Sequence, residues 1–174
     1  LRIRALRDQG YRYIVEFDVD SYFDNVDHRL LFSKLERIIS SKSVLALLSK
    51  WVKAEVYDGE KVYVMEKGLP QGTVVSPTLA NLFLDELDEA LMAKGHQLVR
   101  YSDDFIVLAK STSDAKRALE LTDEVLDRLR LSLDDEETRM TNFDEGFQFL
   151  GLIFLGDMIM QPFDRPRKEK RILY

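Results

Sequence analysis

Two aspartates, Asp103 and Asp104, stand side by side between two apolar runs, Leu98 to Tyr101 and Phe105 to Ala109. Adjacent carboxylates in a half-buried setting repel each other and lose hydration, which is costly unless something positive binds there. Turn chemistry explains one aspartate in a hairpin. Two of them, preceded by Tyr-Ser and followed by Phe-Ile-Val-Leu, need a further reason. Asp18 is the third candidate, at the end of a run from Tyr11 to Val19 whose Tyr, Ile, Val and Phe content reads as a strand. Carboxylates from two adjacent strand ends would form an all-oxygen site of hard ligands, suited to Mg²⁺. Two such ions roughly 3.5–4 Å apart stabilise both the attacking and the leaving oxygen of a phosphoryl displacement. Asp20 and Asp24 lie close by and read as capping and solvated loop. With only His28 and His96 and no cysteine, a histidine-rich or thiolate metal site is excluded, and so is any disulfide.

Two further features could touch a nucleotide. Leu69-Pro70-Gln71-Gly72 precedes a Ser76-Pro77 pair. Glycine lets a backbone pass close to a ligand, and glutamine offers both a donor and an acceptor. Phe23, five positions after Asp18, is an aromatic that could pack under a sugar ring, although Tyr22 and Phe23 read equally well as core.

The elements that must position these residues follow from periodicity. After the first strand, Leu31, Leu35 and Ile38 recur at helical spacing from about Asp27. A second helix is expected from Ser43, with Val44, Leu47, Leu48, Trp51 and Val52 on one face. Val56-Tyr57 and Val62-Tyr63-Val64 flank Asp58-Gly59, a hairpin signal. Ser76-Pro77 reads as a capping hydroxyl with proline in the first turn. That helix would carry Leu79, Phe83, Leu87 and Leu91 to the core and stop at Gly95. The two apolar strands around Ser102-Asp103-Asp104 come next. Ser113 would open a helix bearing Leu119, Leu121, Val125, Leu126 and Leu129. Strand-like pieces at Phe147 to Phe154 and Met158 to Met160 surround a Gly156-Asp157 turn. Without the inserted helices and hairpin, the order is strand, helix, strand, strand, helix, strand. That is an α+β chain with a ferredoxin-like βαββαβ unit, a fold that by itself implies no function.

The composition, 45% hydrophobic and 32% charged over 174 residues, is that of a single globular domain. No run approaches the ~18 apolar residues of a membrane span. The leading Leu-Arg-Ile-Arg is not a secretory signal, and a cytoplasmic setting is expected. The net charge of −6 is unlike the basic balance common in nucleic-acid binders. The cations, however, crowd the ends: Arg2, Arg4, Arg7 and Arg12 at one, Arg165, Arg167, Lys168, Lys170 and Arg171 at the other.

In order, these pieces resemble the motifs of reverse transcriptases. The run from Phe17-Asp18-Val19-Asp20-Ser21-Tyr22-Phe23-Asp24 to His28 resembles their first metal-binding motif. Gly68-Leu69-Pro70-Gln71-Gly72, continuing through Ser76-Pro77 to Asp85, looks like their second palm motif. Tyr101-Ser102-Asp103-Asp104 looks like the signature turn, and Phe149-Leu150-Gly151 resembles the primer-grip hairpin. Order and spacing are similar to prokaryotic enzymes of the group II intron type. The resemblance implies the palm of a right-hand polymerase with part of the fingers over residues 1–174, cut from a longer protein without its thumb. It implies an RNA-directed DNA polymerase. Asp18, Asp103 and Asp104, with the Val19 backbone, would hold two Mg²⁺ ions, with Mn²⁺ as a substitute. Val19, Asp20, Ser21, Tyr22, Phe23 and Gln71 would meet the deoxynucleotide, Phe23 disfavouring a ribose 2′-hydroxyl. Pro70, Gln71, Gly72, Tyr101, Leu150 and Gly151 would meet an RNA template and a DNA primer.

Three departures stand out. Ser102 replaces the commoner alanine. Glu137, in the acidic run from Asp134, stands where the family usually has a lysine before the residue matching Thr138. The basic finger motifs would precede residue 1. The segment from Pro162 to Arg167 looks like a proline-broken exit into another domain, as in reverse transcriptases tied to CRISPR spacer acquisition beside an integrase. The competing readings are a template-independent polymerase of the abortive-infection type and a non-catalytic palm that scaffolds a larger complex. A nucleotidyl cyclase would need a Gly-Gly-Asp-Glu-Phe-type turn that this sequence lacks.

Overall fold

The computed structural model describes residues 2–57 and 59–162. Its centre is one strand buried on both faces. In β1 (Tyr13–Phe17), following the short helix α1 (Arg2–Asp8), Val15 and Phe17 face the larger core and Ile14 the smaller one. Strand alternation sorts the residues this way. After β1 come α2 (Tyr22–Asn25), α3 (His28–Ile38), α4 (Lys42–Val52) and the two-stranded β2 (Glu55–Tyr57) and β3 (Val62–Val64). Helices α5 (Ser76–Phe83) and α6 (Asp85–Ala93) lead into the hairpin of β4 (Gln97–Tyr101) and β5 (Asp104–Ala109). Helix α7 (Thr112–Arg128), β6 (Arg139–Asn142) and a small sheet of β7 (Phe147–Phe149), β8 (Leu152–Leu155) and β9 (Met158–Met160) complete the described chain.

The main sheet has the order β4-β5-β1-β6, and each neighbouring pair is antiparallel. This is the expected α+β, ferredoxin-like palm, with α6 and α7 packed on one another and behind the sheet. The larger core lies on that helical face. The opposite face carries Ile14, Ile106 and Leu108, capped by Ile3 and Leu6 of α1 and by Phe147, Phe149 and Phe154 of the small sheet.

Several expectations need correction. The fourth strand of the unit is β6, not the apolar piece after it. Phe147 to Phe154 divides at a Leu150-Gly151 turn and forms a separate sheet. The first strand is shorter than Tyr11 to Val19, because Val19 leaves β1 to make an isolated bridge with Leu133. The helix from Ser76 is divided at Leu84, although Leu79, Phe83, Leu87 and Leu91 are all buried as expected. The N-caps are Ser41 and Ser111 rather than Ser43 and Ser113. In each Ser-X-Ser the upstream hydroxyl reaches the free N–H three residues on, of Val44 and Asp114. Ser76 is not a cap either: it is the first helical residue, behind Val75, and its hydroxyl donates to the Pro70 carbonyl.

Helix α3 buries Leu31 and Leu35 but leaves Ile38 exposed. On α4 only Leu48 and Val52 are buried, and Val44, Leu47 and Trp51 remain exposed. Among the N-terminal cations, the Arg7 side chain is largely covered. It stacks over Phe143, donates to the Gly156 carbonyl at 2.7 Å and pairs with Asp157 at 3.0 Å, which fastens α1 to the β8–β9 turn. The C-terminal basic cluster and the segment from Phe163 to Arg167 lie outside the described residues, as does Asp58.

Candidate active site

Phe17 and Phe105 are register partners, and their rings stack 4.8 Å apart within the helical-face core. One residue further on each chain, alternation turns Asp18 and Asp104 to the opposite, open face at adjoining strand ends. Tyr101 pairs with Asp104, so the hairpin loop is only Ser102-Asp103, with Ser102 in the left-handed region at φ 59°. Asp104 belongs to the strand and Asp103 to the turn.

Asp18 is fixed through its backbone. Its N–H donates to Thr138 Oγ1 at 3.3 Å, and its carbonyl accepts from the Asp134 N–H at 2.9 Å. The Asp134 carboxylate caps the N–H groups of Glu136 and Glu137 at 2.8 and 3.1 Å, shaping the turn that delivers Thr138. No spacing in the sequence marks Thr138 or Asp134 for a positioning role. Their signal, an Asx turn ending in threonine, is visible only once β6 is recognised.

Burial raises the Asp18 carboxyl above the ordinary range, and Glu137, Asp134, Asp103 and Asp104 push it further in that order. Burial and then Asp103 raise Asp104. Among the described residues, no three carboxylates or histidines close into a metal-sized cluster. The donors present are nevertheless hard oxygens, and the anionic forms of Asp18 and Asp104 are disfavoured by burial and by the neighbouring carboxylates. A divalent cation would relieve that penalty, so the residues fit the implied Mg²⁺.

The turn is braced from behind. Arg100 on β4 pairs with Asp88 of α6 and donates to Asn81 Oδ1 of α5 at 2.7 Å and to the Ser102 carbonyl at 2.9 Å. This arginine was missed because nothing in its spacing marks it. A groove of about 520 Å³ beside the turn is lined by Phe23, Pro77, Asn81, Arg100, Tyr101 and Ser102. Phe23 is half-buried and faces this groove, whereas Tyr22 is core: its hydroxyl donates to the Ala80 carbonyl at 2.6 Å and burial pushes it up. Val19 is buried too, so only the backbones of Val19 and Tyr22 could meet a nucleotide. Asp20 and Ser21 are exposed and hydrogen-bonded to each other at 2.8 Å.

The second loop lies alongside. The Leu69 N–H donates to the Phe23 carbonyl at 2.6 Å, and the Gly68 N–H to the Val26 carbonyl at 2.7 Å. At the other end, Ser76 Oγ donates to the Pro70 carbonyl at 2.7 Å. Pinned at both ends, the loop exposes Gln71 and Gly72. Leu150 and Gly151 form the exposed β7–β8 turn, and Tyr101 is exposed at the end of β4.

A four-stranded antiparallel sheet backed by helices, with carboxylates at the adjoining ends of its two central strands, defines the palm of a right-hand polymerase. The particular family is shown by comparison: the model for reverse transcriptase (RNA-dependent DNA polymerase) matches residues 2–154, and the chain belongs to that family. It is similar to Protein YkfC of Escherichia coli K12, 30% identical over 175 residues, 80% of this chain and 46% of that protein. It is also similar to the group II intron-encoded protein LtrA of Lactococcus lactis subsp. cremoris, 35% identical over 83 residues, 48% of this chain and 14% of that protein. The chain thus spans less than half the length of either relative. Among solved structures, telomerase from Candida albicans with a fragment of telomeric RNA shares the fold at a TM-score of 0.74 and 12% identity, covering 93% of this chain and 34% of that one. Apo telomerase from Candida tropicalis, truncated of its C-terminal domain, does so at 0.70 and 16% identity, over 92% of this chain and 38% of that one. No helix among the described residues is long and apolar enough to cross a membrane.

Proposed function

We propose that residues 1–174 are the palm and partial fingers of a longer RNA-directed DNA polymerase, which extends a DNA primer on an RNA template with deoxynucleotides. The observation that carries this reading is the meeting of Asp18 and Asp104 on one open face, with Asp103 in the tight turn between β4 and β5. Family membership supports it. Asp18, Asp103 and Asp104, with the Val19 carbonyl, would hold two Mg²⁺ ions, or Mn²⁺ in their place. When bound, such ions stabilise the attacking and leaving oxygens of the displacement.

The chain's own residues do the positioning, which supplies most of the catalysis in phosphoryl transfer. The Val19–Tyr22 backbone, with Asp20 and Ser21, would lie along the triphosphate. Phe23, facing the groove, would pack under the sugar and disfavour a 2′-hydroxyl, and Gln71 would meet the base pair. Pro70, Gly72 and Tyr101 would contact template and primer, and Leu150 and Gly151 the primer strand. Arg100 holds the Ser102 carbonyl and so fixes the turn that bears Asp103. A cytoplasmic setting and a role in capturing CRISPR spacers from RNA beside an integrase are finer parts of the same proposal. The second rests on the sequence after Pro162.

The test is primer extension by the full-length protein on RNA and DNA templates with Mg²⁺, beside an Asp103→Ala/Asp104→Ala variant. RNA-templated extension that the variant loses is the expected result. No extension on either template by a folded protein would leave a scaffold, and extension with no template would move it to the template-independent class.

A further inference from the structure

Buried beneath the two nucleotide-facing segments is a histidine that the proposed reaction leaves without a role. His28 opens α3 and is 7% exposed, and its Nε2 lies 2.6 Å from the Gly68 carbonyl. Because the carbonyl can only accept, Nε2 carries the proton. Its neighbour Asp27 caps α3 through the N–H groups of Arg29 and Leu30 at 2.8 and 3.0 Å and pairs with Arg130 at 2.7 Å, so the ring projects from a fixed base.

We infer that His28 is a positioning residue that locks the loop at 69–72 onto the turn presenting Phe23, and so sets the spacing between Phe23 and Gln71 on which sugar and base selection depend. The inference rests on the polymerase reading above. The ring bond is the third of a set: the Gly68 N–H meets the Val26 carbonyl and the Leu69 N–H meets the Phe23 carbonyl. Together they tie both sides of the Gly68 peptide unit to one short segment. The two backbones touch there. A Cβ at Gly68, which sits at φ +88°, would stand 2.8 Å from the Asp24 carbonyl oxygen and 2.9 Å from that of Phe23. Pro70 and Gln71 follow at once, and Phe23 is itself the acceptor of one bond, so any movement at Gly68 changes the Phe23–Gln71 distance directly. Without the ring, the Gly68 carbonyl is a buried acceptor with no side-chain donor.

The test compares His28→Leu, which keeps the bulk and removes the donor, with His28→Gln, whose amide nitrogen reaches the Nε2 position. Both are made in the full-length protein. His28→Leu should raise the deoxynucleotide KM about tenfold and lower discrimination against ribonucleotides, with kcat changed less than about threefold. His28→Gln should restore both. Hydrogen exchange at the Gly68 and Leu69 amides needs no activity, and it should be faster in His28→Leu and protected again in His28→Gln. Should His28→Leu not fold, His28→Asn, whose amide stops short of the carbonyl, takes its place. A folded donor-less variant with wild-type exchange, KM and discrimination overturns the inference, as does a glutamine variant no better than leucine. If even the unmodified protein makes no DNA while exchange still depends on His28, the lock stands and the polymerase reading falls.

Discussion

Two hairpin turns in this molecule place a non-glycine residue in the left-handed region, Ser102 between β4 and β5 and Leu150 between β7 and β8. They are supported in opposite ways. The first carries charge and is braced by Arg100, whose guanidinium spans Asp88, Asn81 and the Ser102 carbonyl. The second carries none. Among the described residues no side-chain hydrogen bond reaches Leu150 or Gly151, and the hairpin rests on Phe147, Phe149 and Phe154 of the smaller core. The Phe147 and Phe154 rings stack 4.9 Å apart across it. A turn that must hold carboxylates against their own repulsion needs a polar frame behind it, whereas a turn that offers only backbone and one apolar side chain can stand on packing.

The strongest way to break the contrast is to remove the charge itself. Asp103→Asn/Asp104→Asn should reduce primer extension by about 10³ or more, since metal stabilisation of the transition state is worth several kcal/mol. Leu150→Ala should leave a measurable polymerase. Next in size is the brace. Arg100→Ala strands the Asp88 carboxylate in a half-buried site and should cost about 3 kcal/mol in urea unfolding, whereas no single side chain at the β7–β8 turn should cost as much. Backbone strain then separates the two halves of the second turn. Leu150→Gly should stabilise by about 1 kcal/mol by relieving the left-handed conformation, and Gly151→Ala, at φ 73° with open space around it, should cost about as much.

The smallest effect is electrostatic. Asp18 and Asp104 have raised carboxyl pKa values, so folding favours their protonated forms. That contribution is full below the ordinary carboxylate range and is lost as pH rises through the raised values. Asp18→Asn should therefore stabilise the metal-free protein at neutral pH, by about half a kcal/mol or less after solvent screening, and have no effect at pH low enough to protonate both states. Added Mg²⁺ should raise the Tm of the wild type and not that of the Asp18→Asn variant.

The sequence carried the central pattern well. The apolar runs around Ser102-Asp103-Asp104, the Phe17-Asp18 strand end and the helical spacing of Leu79, Phe83, Leu87 and Leu91 each appear in the fold with the expected burial. Alternation and periodicity are local signals, and they succeed where one face meets the core. They failed for β6, whose Arg139-Met140-Thr141-Asn142 is polar because its role is to flank β1 at a sheet edge. They also failed on α4, where an apolar stripe matched a helix but Val44, Leu47 and Trp51 stay exposed instead of entering the core. At the site, residue types singled out Asp18, Asp103 and Asp104, which the fold places at the adjoining ends of β1 and β5. Thr138 meets Asp18 across 120 residues and Gly68 meets His28 across 40, and Arg100 joins its turn to two different helices; no spacing rule links those.

The strand order has a consequence for synthesis. β1 pairs with β5 and β6, and with no strand made near it in time. A ribosome adding roughly 5–20 residues per second releases Tyr13–Phe17 many seconds before Asn142 exists to close the sheet. Until Ala109 has emerged neither edge of β1 can be covered, and the edge that β6 takes stays open until Asn142. High contact order of this kind makes folding slow. A nascent chain halted before β6 should be a target for chaperones, and no fragment ending there could polymerise.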